Sequence, residues 1–175
     1  MWTQEIMEKA ARIRLVIFDV DGVLTDGSLY IGDDGQEYKA FYSQDGLGMK
    51  MLQKSGVQIG IITARKSQVV RLRMESLGIQ HVYQGREDKL PALEELQAEL
   101  KLDLSEIAYV GDDVVDLPIM CRVGLALTVR DAHHEAVRQA HWQTVHPGGR
   151  GAAREVCELL LTAQGNIHAA LERYR

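Results

Sequence analysis

Asp19 and Asp21, one residue apart in Asp19-Val20-Asp21-Gly22-Val23, are the pair on which chemistry would turn. Placed directly after an apolar run, such carboxylates can divide the labour of phosphoryl transfer. The first attacks phosphorus; the second protonates the leaving oxygen and then activates water. Further along stand Thr63, Lys89 and Gly111-Asp112-Asp113. Taken singly these are weak signals: Asp-x-Asp-Gly is commonly a turn or part of a calcium loop, and a lone Thr or Lys a surface residue. The weight lies in their conjunction in one order. Gathered carboxylates repel one another unless a cation sits among them, and hard oxygen ligands beside a phosphate favour Mg²⁺. On this reading Asp19 is the nucleophile and Asp21 the acid and base. Thr63 and Lys89 donate to the equatorial phosphoryl oxygens. Asp112 completes the metal site begun by Asp19, with Asp113 and Asp116 supporting it from behind.

These residues need a frame that brings strand ends together. Arg14–Phe18, Gln58–Ile62 and Glu106–Val110 are short runs apolar on both faces, as central strands of a parallel sheet are. His81–Tyr83 and Gly124–Thr128 are weaker strand candidates, while Ser67–Leu77, Leu90–Leu100, Gly46–Lys54 and Ala152–Ala163 are placed as helices. Gly78 suits a helix C-terminus, and Ser105 the closing of the loop before the third strand. The expected fold is therefore α/β and Rossmann-like, a parallel sheet flanked by helices, with the acidic groups along its carboxyl edge. Residues 28–42 interrupt the alternation as a β-hairpin around Gly32-Asp-Asp-Gly35, apolar on both faces through Leu29, Tyr30, Ile31, Tyr38, Phe41 and Tyr42. Such a hairpin needs something to pack on, either its own domain or hairpins of other copies; the second is favoured. Residues 164–175 read as a short tail.

Composition sets the outer bounds. The 175 residues fit one domain, 46% hydrophobic and 26% charged, as soluble globular proteins are. A net charge of −5 gives no footprint for nucleic acid, and no apolar run is long enough to span a membrane. The first residues, Met1–Arg14, lack the apolar stretch of a secretory signal, so a cytoplasmic enzyme is expected. Cys121 and Cys157 read as buried free thiols, with a disulfide or a reactive cysteine as the alternative.

Phe18-Asp-Val-Asp-Gly-Val-Leu-Thr25, Ile62-Thr63, Lys89 and Gly111-Asp-Asp113 resemble, in order, the motifs of the haloacid dehalogenase superfamily. The resemblance implies Mg²⁺ bound by the Asp19 side chain, the Asp21 main-chain carbonyl and Asp112. Residues 22–62 and 64–88 are too short to hold the cap domain that many superfamily members insert, so the fold is expected to be capless. Leu24-Thr-Asp-Gly27, the hairpin, Ile61–Lys66, Tyr83-Gln-Gly85 and Gly148–Glu155 are further similar to the 3-deoxy-D-manno-octulosonate 8-phosphate phosphatases. That family implies a homotetramer, a sugar acid phosphate as substrate, and a step in making the Kdo sugar of lipopolysaccharide. Its substrate contacts fall on Asp21, Tyr42, Ser43, Gln44, Asp45, Gly46, Lys50, Arg65, Arg73 and Lys89. Ala64 stands where the family commonly has Gly. Arg65, Lys66, Arg73 and Lys89 could meet the phosphate and carboxylate of such a substrate; for Arg73 a solvated helix face is the competing reading. Gly148-Gly-Arg-Gly151 reads as a flexible segment, either a partial lid carrying Arg150 or a plain loop. Three other readings compete: a phosphatase of nine-carbon sugar acid 9-phosphates, a response-regulator receiver, in which the phosphorylated Asp would lie mid-chain, and a catalytically idle structural subunit.

Overall fold

The computed structural model describes residues 2–175; Met1 lies outside it. Along the chain the strands are β1 (Leu15–Phe18), the hairpin pair β2 (Tyr30–Ile31) and β3 (Glu37–Tyr38), β4 (Gln58–Ile62), β5 (His81–Tyr83), β6 (Ile107–Gly111), β7 (Leu125–Thr128) and β8 (Trp142–Gln143). The helices are α1 (Gln4–Ala11), α2 (Ser43–Lys54), α3 (Gln68–Leu77), α4 (Leu90–Leu100), α5 (Leu117–Met120), α6 (His134–Gln139), α7 (Ala152–Ala163) and α8 (Ile167–Glu172).

Six strands form one parallel sheet in the order β5-β4-β1-β6-β7-β8. β1 is buried on both faces: Val16 and Phe18 pack under α1, α2, α3 and α7, while Leu15 and Ile17 pack under α4, α5 and α6. That explains why Leu15-Val-Ile-Phe18 carries no polar alternation. The chain runs from β1 outward through β4 to β5, then returns to place β6 on the other side of β1. β1 is thus the switch point, and the crevice beyond its carboxyl end opens between oppositely directed connections. Asp19 is the first residue past that end.

Local signals explain several boundaries. α3 stops at Gly78, which takes φ +71° and donates to Glu75 O and Met74 O. α4 starts where Pro91 occupies its first turn and Asp88 Oδ1 accepts from Leu90 N–H at 3.2 Å. The turn before β6 is closed by a reciprocal Asp103–Glu106 cap, a role the sequence suggested for Ser105.

Other elements depart from expectation. The hairpin is much shorter than residues 28–42, pairing only Tyr30 with Tyr38 and Ile31 with Glu37. It does not fold onto the sheet: Leu29, Tyr30, Ile31 and Tyr38 are all about half exposed or more. The next helix starts at Ser43, so Ser43–Gly46 form its first turn. The tail is not plain coil. After Gly165 the chain folds into α8, whose Ile167, Ala170 and Leu171 pack against the core. Cys157 is buried in α7, but Cys121, at the exposed end of α5, is open to solvent, correcting the expectation of two buried thiols. No helix among the described residues is long and apolar enough to cross a membrane.

Candidate active site

Asp19 leaves β1 with its N–H donated to Val110 O at 3.0 Å, which fixes its backbone against β6. Its side chain is buried. Oδ1 accepts from Val20 N–H at 2.7 Å, and Oδ2 lies 2.9 Å from Lys89 Nζ. Burial raises the Asp19 carboxyl to about 6; the Lys89 charge opposes that rise and the Asp116 charge adds to it.

Lys89 reaches the site from the start of α4, with a side chain fully shielded from solvent. Burial pushes its ammonium down, but the Asp19 and Asp116 carboxylates outweigh that and hold it raised. Asp116 is its firmest partner. Asp116 Oδ1 accepts from Lys89 Nζ at 2.7 Å and from the Tyr109 hydroxyl at 2.6 Å. Asp116 Oδ2 accepts from the N–H groups of Asp112 at 2.9 Å and Asp113 at 3.1 Å. The two oxygens together have about four lone-pair sites, and four donors occupy them. Asp116 therefore anchors the lysine and the loop after β6.

Asp112 is the opposite case. Its Oδ1 is buried with no hydrogen-bond partner. Its carboxyl is raised to about 8, first by burial and then by the charges of Asp19 and Asp116. Asp19, Asp112 and Asp116 each bring an oxygen within 4.8 Å of the others. A buried carboxylate left without a donor, among like charges, fits a divalent cation, and oxygen-only ligands suit Mg²⁺. With Asp116 saturated, Asp19 and Asp112 are the two that could hold such a cation. Gly22, at φ +89°, makes the approach possible: a Cβ there would lie 2.1 Å from Asp112 Oδ2. Asp113, expected to support the metal, faces solvent and caps the turn that follows by accepting from Val114 N–H at 2.7 Å.

Thr63 follows β4 directly and is buried beside the loop after β1, with its N–H on Tyr83 O and its carbonyl taking Arg86 N–H. Asp21 sits at the outer rim. It contacts Lys39 through Oδ1 and, more loosely, Arg65 through Oδ2 at 4.0 Å. Glu37 stands 3.0 Å from the same lysine and 3.4 Å from Arg65. The sequence reading missed Glu37 and Lys39. The signal was available in the strand period, which turns both away from the face of exposed Tyr38.

The expected substrate contacts divide. Arg65 is at the rim beside Asp21. Arg73 is not a solvated face: its guanidinium lies over the Phe41 ring at 5.8 Å and against Gly46, where a Cβ would meet Nη2 at 2.3 Å. Tyr42, half-buried, precedes α2 in the same corner. Ser43, Gln44 and Lys50 are exposed along α2. Asp45 stands in a different setting. It is buried and accepts from Arg154 N–H at 2.8 Å and Gly151 N–H at 3.4 Å, so its carboxylate caps the start of α7. Gly148 and Gly149 are a correction, since they are not a loose lid. A Cβ on Gly148 would lie 1.8 Å from Gly22 O, and Gly149 N–H donates to Val23 O at 2.9 Å. The segment wedges the Asp19–Asp21 loop in place, leaving Arg150 exposed.

Comparison with known proteins agrees with this geometry. A family profile for haloacid dehalogenase-like hydrolases matches residues 78–155. A Yersinia pestis 3-deoxy-D-manno-octulosonate 8-phosphate phosphatase is 46% identical over 95% of this chain and 89% of its own length. The crystal structure of a probable phosphatase from Pseudomonas syringae, 52% identical, superimposes with a TM-score of 0.97 over 98% of each chain. So does the Moraxella catarrhalis 3-deoxy-D-manno-octulosonate 8-phosphate phosphatase, solved with magnesium, phosphate and KDO: 42% identical, TM-score 0.97, covering 99% of this chain and 100% of that one. Receivers carry their phosphorylated Asp mid-chain, whereas here the acidic pair ends the first strand and the likeness runs from end to end. With its carboxylates on the ends of β1 and β6, and relatives matched over nearly their whole length, the chain belongs to the 3-deoxy-D-manno-octulosonate 8-phosphate phosphatase family of haloacid dehalogenase-like hydrolases.

Proposed function

We propose that this chain is a Mg²⁺-dependent phosphatase that hydrolyses 3-deoxy-D-manno-octulosonate 8-phosphate (Kdo 8-phosphate) to Kdo and phosphate, a step of lipopolysaccharide synthesis. The observation that carries the reading is the arrangement at the end of β1, where buried Asp19 is held by Lys89 at 2.9 Å with Asp112 beside it. Asp19 attacks phosphorus, the ester P–O bond breaks, and Asp21 gives its proton to the departing sugar oxygen. Asp21, now a carboxylate, takes a proton from water, which attacks the aspartyl-phosphate and frees phosphate and Asp19. Lys89 and Thr63 offer hydrogen bonds to the phosphoryl oxygens as charge spreads over them. Bound by Asp19, Asp112 and, on the family pattern, the Asp21 carbonyl, Mg²⁺ would offset the repulsion between carboxylate and phosphate. Arg65 and Arg73 offer cations that the sugar acid's carboxylate could use.

Residues 1–175 act as one capless unit on this reading, in the cytoplasm, and their site is covered by neighbouring copies in a homotetramer. The hairpin supports the assembly. Its strands are two residues long, too short to be stable alone, and they expose Tyr30 at 54% and Ile31 at 63%.

Phosphate release should be measured on Kdo 8-phosphate and on nine-carbon sugar acid 9-phosphates, with Mg²⁺ and with EDTA, for the natural protein and Asp19→Asn. Preference for Kdo 8-phosphate, lost in EDTA and in Asp19→Asn, is the expected result. Preference for a nine-carbon acid would move the substrate to the competing reading, and turnover by Asp19→Asn would remove Asp19 as nucleophile.

A further inference from the structure

Strand β3 and the residue that follows it bring two charges, Glu37 and Lys39, to the rim of the site. Tyr38 is 60% exposed, while the Lys39 side chain next to it is 1% exposed. A buried ammonium persists where anions surround it. Lys39 Nζ contacts Asp21 Oδ1 and stands 3.0 Å from Glu37 Oε1. Arg65 closes the ring, with Nη2 3.4 Å from Glu37 Oε1 and Nε 4.0 Å from Asp21 Oδ2. Alternating anions and cations thereby join the loop after β1, the hairpin and the loop after β4. The two Asp21 oxygens are treated unequally. Oδ1 is in tight contact with a buried cation, whereas Oδ2 has only the long contact to half-exposed Arg65.

We propose that Lys39 is a positioning residue for proton transfer: anchored by Glu37, it holds Asp21 Oδ1 and leaves Oδ2 as the oxygen that passes the proton to the leaving group. The inference rests on the reading of Asp21 as the acid. It also makes the hairpin part of the catalytic apparatus within its own chain, apart from any contact between copies.

The test measures the first step under single-turnover conditions, with Mg²⁺ and enzyme in excess, for the natural protein, Lys39→Met, Lys39→Arg, Glu37→Gln and Asp21→Asn. Two substrates are compared: the sugar phosphate preferred in the panel above, and p-nitrophenyl phosphate, whose leaving group departs without needing a proton. Lys39→Met should slow release of the sugar about 100-fold, the lower end of general-acid contributions, and release of p-nitrophenolate by less than about tenfold. The half-saturating concentration should stay within about threefold, because the lost contact is to Asp21 and not to substrate. Lys39→Arg should recover most of the rate, and Glu37→Gln should show the same selectivity more weakly. Equal losses on both substrates, or a loss confined to half-saturation, would overturn the proposal. If Lys39→Met does not fold, Glu37→Gln decides, since it keeps the ammonium; absence of leaving-group selectivity there overturns the proposal as well. Asp21→Asn separates the two readings. If it is unselective, the acid assignment fails; if it is selective and Lys39→Met is not, only the role of Lys39 fails.

Discussion

Asp112→Asn should make the metal-free protein more stable while destroying the proposed metal site. The Asp112 carboxyl is pushed up to about 8 from an ordinary 3.8, by burial first and by Asp19 and Asp116 second. A carboxyl raised in the folded state binds protons on folding, so stability rises as pH falls through about 8 and drops as pH rises toward it. At about pH 7.5 the ideal linkage penalty is about 5 kcal/mol, which solvent screening at the crevice mouth reduces to about 2–4 kcal/mol. Asn keeps the shape and removes the charge. Since 1 kcal/mol moves the midpoint of a chain this size by about 2–4 °C, the variant should melt about 4–16 °C above the natural protein in EDTA. Between about pH 8.5 and about pH 6.5 the natural protein should gain stability on acidification and the variant should stay nearly flat. Asp19, raised to about 6, contributes below that window. On the proposed metal site Mg²⁺ should reverse the order, because it would bind the folded state through the carboxylate the variant lacks. Thermal melts across pH, with EDTA or Mg²⁺, measure all of this. A variant that melts at or below the natural protein in EDTA, or gains equally from Mg²⁺, refutes the reasoning.

Asp116→Asn should act with the opposite sign in the same melts. One amide oxygen cannot serve four donors, and a buried Lys89 keeps only Asp19, so a loss of about 3–5 kcal/mol is expected with or without Mg²⁺. Asp45→Ala removes the acceptor at the start of α7 and should cost about 1–2 kcal/mol in denaturant titration, with KM changed less than about twofold. A large rise in KM would restore Asp45 as a substrate contact. Thiol titration of the native protein should find Cys121 at once and Cys157 only after unfolding, because burial pushes the Cys157 thiol far up. Rapid reaction at both would contradict the packing of α7 against α2.

The legible part of the fold was its apolar interior. β4, α4 and α7 fall on the residues their periodicity marked, because burial on both faces or on one stripe leaves a pattern that composition cannot hide. Elements held by a few contacts at the margin leave none. β8 is two residues on the sheet edge, α5 spans only Leu117–Met120, and α8 depends on docking against α2 and α7. The hairpin's apolar residues were legible in the sequence, but their exposure could not be seen there. At the site, carboxylates on strand ends were legible because topology alone gathers them. Which oxygen each offers was not. Asp45 and Asp116 look as available as Asp19 in the sequence, and are spent on backbone and lysine donors that only tertiary structure supplies.

This division among carboxylates has a physical logic. Asp116 is wholly buried and fully hydrogen-bonded, so it stabilises the fold and cannot bind anything further. Asp19 is half satisfied, with one oxygen on Val20 and the other on Lys89. Asp112 has a buried oxygen with no donor at all. Moving outward from the sheet, satisfaction falls while the capacity to gain from a ligand rises, which is how a site keeps binding energy in reserve without loosening its frame. The sign reversal expected between Asp116→Asn and Asp112→Asn tests that gradient directly. Two losses of similar size would mean that both carboxylates are structural, and that whatever strains Asp112 is already relieved without a cation.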